Sequence, residues 1–450
     1  MKQCQSLSTM AEVIKLGVSA VVDELLAPAC CDKSQINEGT DAGSQVIELV
    51  NNLFIKAVQE EASDIHIEPF QDRTQIRFRV DGILHQKFQL PKGILNPLVS
   101  RLKVMANLDI TERRLPQDGR IELKMSNIDL DLRISTVPTI FGEKVVIRIF
   151  NKEQINHYTL EKLDFSPENY RLVKSFLQRP YGLLLVTGPT GSGKTTTLYT
   201  ALKSLNSAEK NIVTVEDPVE YVLEGVNQTQ INTKAGATFS TYLRSILRQD
   251  PDVIMIGEIR DLDTARIAVR AATTGHLVLS TMHTNDAPGA LNRLIDMGVE
   301  PFMVVSSLLG VIAQRLVRRV CKHCREGRQI SDVKYTLPET AEIQQFSNPP
   351  GCIKCNHTGY RGRIALHEVL KMTPFLQKLV LQQVSAAALR EAALKEGMIP
   401  MSRDGFNKAV QGLTTIQEVL RVCGEDNRLL KGLKAAVLWT KGGVLDGSSL

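Results

Sequence analysis

The sequence predicts an α/β fold, for three reasons. Between residues 183 and 279, short apolar strands alternate with helical stretches, which is typical of a mostly parallel sheet with helices on both faces. One of these strands runs directly into a glycine-rich turn and a helix, in the segment LLLVTGPTGSGKTTTL. Upstream, polar and apolar residues alternate in 76–80 and 130–134, the pattern of half-buried strands. We therefore expect an α+β amino-terminal part followed by an α/β core.

The first part of the chain is predicted to be a short lead and an α+β domain. The lead covers 1–43, and the domain, which we expect to be PAS-like, covers 44–150. Its first helix is indicated by apolar residues that recur at helical spacing from 46 to 58. The later strands place Arg133 on a polar face. A charged segment, 151–180, is predicted to link this domain to the next.

The next domain, 181–314, is predicted to be a RecA-like core that binds ATP. Its glycine-rich turn fits the phosphate-loop pattern GxxxxGKT at every fixed position, so backbone N–H groups and a helix amino terminus can surround phosphate oxygens. The alternative is a glycine-rich turn that binds no ligand. It is disfavoured because the strand, the loop and the helix all stand where a phosphate loop requires them. Lys194 is expected to neutralise the β- and γ-phosphates, and the Thr195 hydroxyl to bind Mg²⁺. The predicted ATP-binding residues are Gly188, Pro189, Thr190, Gly191, Ser192, Gly193, Lys194, Thr195 and Thr196.

Two strands of this core end in acidic residues, at the edge where open α/β sheets bind ligands. The strand at 212–215 ends at Glu216, because Pro218 prevents the strand from continuing. Glu216 is the candidate base. The strand at 253–256 is followed after one glycine by Glu258, the arrangement that delivers a carboxylate to Mg²⁺ or its waters. Either acid alone could be a solvated strand-end carboxylate. Two of them behind a phosphate loop favour catalytic roles.

A third polar cluster places histidines at both ends of one predicted strand. His276 and His283 are separated by roughly 23 Å in an extended chain, so they cannot both contact one phosphate. His283 is the candidate for sensing the γ-phosphate, and a structural or surface role is the alternative for both.

Four of the eight cysteines form two CxxC pairs, with 27 residues between the pairs. This spacing suits one tetrahedral zinc ion, and four thiolates would leave no open position, so the metal should be structural. His323 and His357 lie close enough to replace a ligand. The predicted ligands are Cys321, Cys324, Cys352 and Cys355. The corresponding subdomain is expected over 315–360, before a helical subdomain at 361–422 and a tail at 423–450.

Composition limits the class of protein. The chain is 43% apolar and 23% charged, values typical of globular proteins. Its 450 residues are enough for two to four domains. A net charge of +5 is too dilute to indicate nucleic-acid binding. No apolar run reaches the roughly 18 residues that span a bilayer, and charged residues interrupt 1–29, unlike a secretion signal. We therefore expect a cytoplasmic protein whose contact with membranes is peripheral.

Together these motifs resemble those of the type II secretion and type IV pilus assembly ATPases, the GspE/PilB type. Besides the phosphate loop, the likeness includes an aspartate box at 215–220, a Walker B region at 247–261 and a histidine box at 273–286. Upstream, 63–68 and 113–120 resemble the second amino-terminal domain of that family. The resemblance covers about 44–422.

The resemblance implies a hexameric cytoplasmic motor that hydrolyses ATP and acts on a platform protein of the inner membrane. It implies that Glu216 polarises the attacking water and that Glu258 holds Mg²⁺. Arg133 and Arg148 correspond to a pair that reaches the γ-phosphate from the amino-terminal domain, although a surface ion pair is the alternative for each. Further candidate arginines are Arg244, Arg248 and Arg260. The cargo, secreted protein or pilus subunit, stays open, as does the docking partner, because the lead is short.

Two other functions remain open beside the motor. A RecA-like nucleic-acid translocase would need a basic, aromatic-bearing pore loop, which 5% aromatic residues and dilute charge do not indicate. A ring component that binds nucleotide without hydrolysing it is disfavoured because Lys194, Thr195 and both glutamates are intact.

Overall fold

The computed structural model describes residues 42–125, 128–151, 158–232, 236–326, 333–336, 343–346 and 349–424. The chain divides into two compact units between residues 154 and 155, within the predicted linker. Most of the predicted lead and tail lies outside the described residues. The other predicted domain limits stay predictions.

The first unit is a six-stranded antiparallel sheet with two helices on its apolar face. The strand order is β3-β2-β1-β6-β5-β4. Polar and apolar residues alternate along the strands, because one face of the sheet packs on the helices and the other face is polar. The elements are α1 (Ala42–Gln59), β1 (Ala62–Pro69), β2 (Arg73–Val80), β3 (Ile83–Pro91), α2 (Leu95–Met105), β4 (Gln117–Met125), β5 (Ile128–Thr139) and β6 (Gly142–Asn151).

The polar face of this sheet carries basic residues paired with buried acids. Glu68 on β1 accepts two hydrogen bonds from Arg77, at 2.6 and 2.8 Å. Asp131 on β5 accepts two from Arg120, at 2.6 and 2.9 Å. Two-point pairing of this kind fixes each guanidinium in one orientation.

The second unit contains a seven-stranded sheet in the order β15-β12-β7-β11-β10-β8-β9. All neighbours are parallel except β12 and β15, and apolar layers cover both faces, so the predicted α/β fold is confirmed. Its first elements are α3 (Pro167–Leu177), β7 (Gly182–Thr187), α4 (Lys194–Leu205), β8 (Ile212–Glu216), β9 (Asn227–Gln230), α5 (Phe239–Ile246), β10 (Val253–Ile256), α6 (Leu262–Thr273), β11 (Leu277–Met282), α7 (Ala287–Asp296) and α8 (Pro301–Ser307).

The remaining elements extend this sheet and cover one end of it. They are β12 (Leu308–Val320), α9 (Lys322–Glu326), β13 (Val333–Thr336), β14 (Ile343–Phe346), β15 (Tyr360–Lys371), α10 (Pro374–Leu381), α11 (Ala386–Lys395), α12 (Met401–Val410) and α13 (Ile416–Cys423). Strand β12 runs through the predicted limit at residue 314 without interruption. In the described ranges, no helix combines the length and the apolar content needed to cross a membrane.

Candidate functional site

Four parallel strands of the second unit end at one edge of the sheet. The register aligns Val215 of β8 with Ile256 of β10, Ile256 with Ser280 of β11, and Ser280 with Leu185 of β7. The segments that follow these strands therefore meet at the same edge, as expected for a ligand site in an open α/β sheet.

The phosphate loop connects β7 to α4 at this edge. Gly188, Gly191 and Gly193 have φ angles of 149°, 78° and 86°, values that residues other than glycine rarely adopt. A Cβ atom at Gly188 would also collide with the backbone carbonyl oxygen of Gln314 on β12. The glycines are thus required by the backbone itself, and the loop leads directly into the first turn of α4.

Lys194 opens α4 and folds back over the loop. Its ammonium group donates to the carbonyl oxygens of Gly188, at 2.8 Å, and Pro189, at 3.1 Å. Burial lowers the pKa of Lys194, and the negative charge of Glu258 opposes that shift. The predicted phosphate-binding cation therefore contacts the loop, and the charge of one of the two predicted acids acts on it.

Glu258 follows β10 and gathers two basic side chains. Arg260 forms an ion pair with one carboxylate oxygen, and His283 Nε2 lies 3.5 Å from the other. Burial and the charge of Lys194 lower the pKa of His283, with Glu258 acting in the opposite direction. Lys194, Glu258, Arg260 and His283 thus form one group at the loop.

Glu216 ends β8 and is almost completely buried. Its Oε1 atom accepts hydrogen bonds from Thr214, at 2.6 Å, and from the Gln228 amide, at 3.1 Å. Its Oε2 atom accepts a hydrogen bond from the Tyr199 hydroxyl. The peptide bond between Asp217 and Pro218, directly after Glu216, is cis.

The two histidines lie apart, as predicted from their spacing. His276 precedes β11, and its Nδ1 atom lies 3.0 Å from the carbonyl oxygen of Ala271. His283 follows the same strand at the edge that holds the loop. Only His283 is therefore in the group around Glu258, although its role in sensing phosphate stays a prediction.

The other predicted arginines are distributed over both units. Arg244 and Arg248 are exposed on and after α5, where Arg248 donates to the Arg244 carbonyl oxygen at 2.8 Å. In the first unit, Arg133 on β5 is opposite Arg148 on β6. Arg133 lies 4.4 Å from the centre of the Phe150 ring, and Arg148 pairs with Asp64 at 3.0 Å. Their roles stay predictions.

The structure adds three residues that sequence reasoning missed. Gln314 on β12 is buried, donates to the Ser192 carbonyl oxygen at 2.7 Å and accepts from the Thr197 hydroxyl at 2.8 Å. It therefore ties the loop to α4 from a third element. Tyr199 and Gln228 contact Glu216 as described above. None belongs to a local motif; the available signal was a polar Gln314 directly after the apolar run 308–313.

The four predicted zinc ligands converge in the second unit, with all four sulfur atoms within 4.8 Å of one another. The pairs Cys321–Cys352, Cys324–Cys355 and Cys352–Cys355 are 3.9, 3.7 and 3.7 Å apart. A tetrahedral zinc ion with Zn–S bonds of about 2.3 Å requires sulfur atoms about 3.8 Å apart, so this arrangement fits the metal.

The thiols in this cluster differ in acidity. Burial acts to raise the pKa of Cys355, but backbone N–H groups of Cys352 and Gly359, at 3.1 and 3.3 Å from its sulfur, outweigh it and lower the pKa to about 7. Burial and the neighbouring thiols raise the pKa of Cys324 to about 12. The N–H donors are arranged as a thiolate ligand needs them.

Comparisons with known proteins identify the family. The model of the family described as "Type II/IV secretion system protein" matches residues 39–421. The type II secretion system protein E of Aeromonas hydrophila is 48% identical over 388 residues, which are 86% of this chain and 77% of that protein. The type II secretion system ATPase E of Vibrio cholerae is 48% identical over 84% of this chain and 76% of its own length. The type IV pilus assembly ATPase PilB of Myxococcus xanthus is 48% identical over 83% of this chain and 67% of its own length.

Solved structures support the same fold at lower identity. The ATPase DotB of Legionella pneumophila superposes with a TM-score of 0.62 at 19% identity, covering 83% of this chain and 95% of DotB. The pilus retraction motor PilT with bound ADP gives a TM-score of 0.56 at 24% identity, covering 84% of this chain and 98% of PilT. The chain therefore belongs to the type II/IV secretion system protein family and is a phosphate-loop ATPase.

Proposed function

We propose that this ATPase is the motor of type II protein secretion or of type IV pilus assembly. The observation that carries the proposal is the meeting of Lys194, Glu258 and Glu216 at one sheet edge, in a chain 48% identical to relatives named for both processes. Positioning and neutralisation of charge are what phosphoryl transfer mainly requires.

Each residue at the edge has a proposed task. The loop amides and Lys194 bind the β- and γ-phosphates, and Glu216 accepts a hydrogen bond from the attacking water and polarises it. The Thr195 hydroxyl and the Glu258 carboxylate are hard oxygen donors that would hold Mg²⁺, which would neutralise phosphate charge when bound. Arg260 already pairs with Glu258 and is therefore the candidate arginine within this unit.

The first unit is proposed to supply further positive charge. Arg133 and Arg148 lie opposite each other on neighbouring strands, so the proposal treats them as a pair that acts on one γ-phosphate. An arginine delivered by another domain couples hydrolysis to domain motion, which is how such a motor could do mechanical work.

We further propose that the chain works as a homohexamer in the cytoplasm, bound peripherally at the inner membrane through a platform protein. The absence of a membrane-spanning helix among the described residues is consistent with this location. Structural zinc is proposed for the tetracysteine cluster because its sulfur spacing suits a tetrahedral ion.

A phosphate-release assay on the purified full-length chain tests the motor. We expect turnover of ATP by the unmodified protein, and loss of roughly a hundredfold or more in Lys194→Ala and in Glu258→Gln, since each removes charge that positions the phosphates or the metal. An exposed lysine elsewhere, changed in Lys371→Ala, should leave the rate unchanged. Background rates for the unmodified protein, with or without added membranes, would rule out the motor.

A further inference from the structure

The Glu216 carboxylate is more buried than a group that polarises an attacking water molecule needs to be. It is 3% exposed, and three side chains donate to its carboxylate: Thr214 and Gln228 to Oε1, and Tyr199 to Oε2. An ionised carboxylate offers about four acceptor positions, so the protein already fills about three of them. Little capacity is left for water in this arrangement.

The hydrogen bond that the Tyr199 hydroxyl donates to Glu216 does not depend on pH in the physiological range. Tyr199 lies on α4 and is completely buried. Burial, followed by the negative charge of Glu216, raises the pKa of Tyr199 far above its ordinary value. The phenol therefore stays protonated and keeps donating to Glu216. Because α4 begins at Lys194, the helix that carries the phosphate-binding cation also holds the predicted base.

The Gln228 donor is connected to the segment after β8, which we call the 217–226 loop. The Gln228 amide nitrogen also donates to the Tyr221 carbonyl oxygen at 2.9 Å, and its oxygen accepts from the Leu223 N–H at 2.6 Å. The Tyr199 oxygen accepts from the Glu220 N–H at 3.3 Å. A shift of the 217–226 loop would therefore disturb two of the three donors to Glu216.

The 217–226 loop is also placed to be moved from outside. Val222 in it is 88% exposed. The ring of Tyr221 contacts that of Tyr199 edge to face, with centroids 6.0 Å apart. A push on the exposed part of the loop would therefore reach Tyr199 through direct packing.

The second acid of the site is held differently. Glu258 is the carboxylate whose charge acts on the pKa of Lys194, and its own partners, Arg260 and His283, are largely exposed. The charge of one acid thus acts on the phosphate-binding lysine, while the other acid is held by donors that belong to α4, β8 and β9.

We propose that Tyr199, Thr214 and Gln228 form a latch that restrains Glu216, and that hydrolysis requires Glu216 to exchange the Tyr199 hydroxyl for the attacking water. This rests on the proposed function, in which Glu216 polarises that water. Tyr199 is then a positioning residue, and the 217–226 loop is the element through which the latch is released.

The sign of one substitution separates this latch from a simple supporting role. Tyr199→Phe removes the hydroxyl and keeps the ring that packs in the core. We expect kcat for ATP hydrolysis to rise roughly three- to tenfold, with KM little changed, because one charge-assisted hydrogen bond no longer favours the restrained position. A supporting role predicts a lower kcat together with a lower melting temperature. A kcat that falls or does not change overturns the latch.

Two controls show whether the effect runs through Glu216. Tyr170→Phe removes a comparable phenol, which donates to Glu161 at 2.7 Å on the surface, and should leave kcat unchanged. The double variant Tyr199→Phe with Glu216→Gln should fall to the rate of Glu216→Gln alone. If the double variant keeps the raised rate, Tyr199 acts by another route and the latch is overturned.

The same variants distinguish failure of the latch from failure of the proposed function. Full turnover in Glu216→Gln would remove Glu216 from catalysis altogether. A slow Glu216→Gln with no gain in Tyr199→Phe would reject the latch alone. If Tyr199→Phe does not fold, Gln228→Met removes a second donor without touching α4 and should raise kcat in the same direction; a lower or unchanged kcat in that variant rejects the latch.

Discussion

At the residue scale, the two histidines of the histidine box have different surroundings, and only those of His283 include the phosphate-loop lysine. His283 Nε2 lies 3.5 Å from the Glu258 carboxylate, and burial together with the charge of Lys194 lowers the pKa of His283. The imidazole is therefore neutral at pH 7 and can donate a hydrogen bond without adding a full charge. His276, before the other end of β11, contacts a helix carbonyl oxygen instead.

This difference predicts unequal effects of two alanine substitutions. If His283 senses the γ-phosphate, as predicted, His283→Ala should lower kcat roughly ten- to hundredfold, because a hydrogen-bonding group at the phosphate is lost. His276→Ala should keep a rate close to that of the unmodified protein. Phosphate release at saturating ATP, measured side by side, checks this. Equal rates in the two variants would show that His283 has no part in the chemistry.

Residues in local motifs could be predicted from the sequence, whereas their partners could not. Lys194 and Glu258 stand at fixed positions relative to a strand and a glycine turn, so their place follows from a few neighbouring residues. Gln314 reaches the loop from a strand 122 residues away in sequence from Ser192, whose carbonyl oxygen it contacts. The Tyr199 hydroxyl on α4 donates to the Glu216 carboxylate at the end of β8. Such contacts depend on tertiary packing, which no short pattern encodes.

At the element scale, β12 and β15 connect the nucleotide site to the tetracysteine cluster. They pair in antiparallel register from Gly310 to Val320, and Gln314 contacts the phosphate loop from the middle of β12. Cys321 directly follows β12, and its N–H donates to the Gly359 carbonyl oxygen at 3.0 Å, just before β15. The sequence predicted two separate regions here because the pairing joins segments about 50 residues apart, with the cluster between them.

A metal at this position should stabilise the end of the β12–β15 pair. We expect about one zinc per chain after chelator-free purification. Cys352→Ser should lose most of the metal and lower the melting temperature by at least about 5 °C, since binding energy of a structural metal contributes to folding. His323→Ala should keep the metal, because His323 is exposed and outside the sulfur cluster. Metal analysis with thermal unfolding measures both. Unchanged zinc in Cys352→Ser would contradict the four-sulfur site.

At the scale of the whole molecule, each of the two units has its own buried core. The first unit encloses apolar residues from both helices and from the inner face of its sheet. The second encloses two apolar layers, one on each side of its central sheet. In the sequence, the candidate hinge between two domains is the charged segment 151–180, which precedes the alternation of apolar strands and helices. Each unit therefore has the core that a domain needs to fold on its own.

If the first unit contributes to hydrolysis, its two opposed arginines should be needed for turnover but not for its own folding. Arg133→Ala and Arg148→Ala should each lower kcat roughly hundredfold or more, as loss of an arginine that neutralises transferring phosphate does, while ATP affinity changes little. Stability should hold, because the Arg148 side chain is 56% exposed and the buried Asp64 carboxylate keeps Arg79 at 3.6 Å after Arg148 is lost. Arg73→Ala, in the same unit, is the matched control, because Arg73 pairs with an exposed acid, Asp72. Phosphate release and nucleotide affinity are measured for all three, and equal turnover among them would remove the first unit from the chemistry.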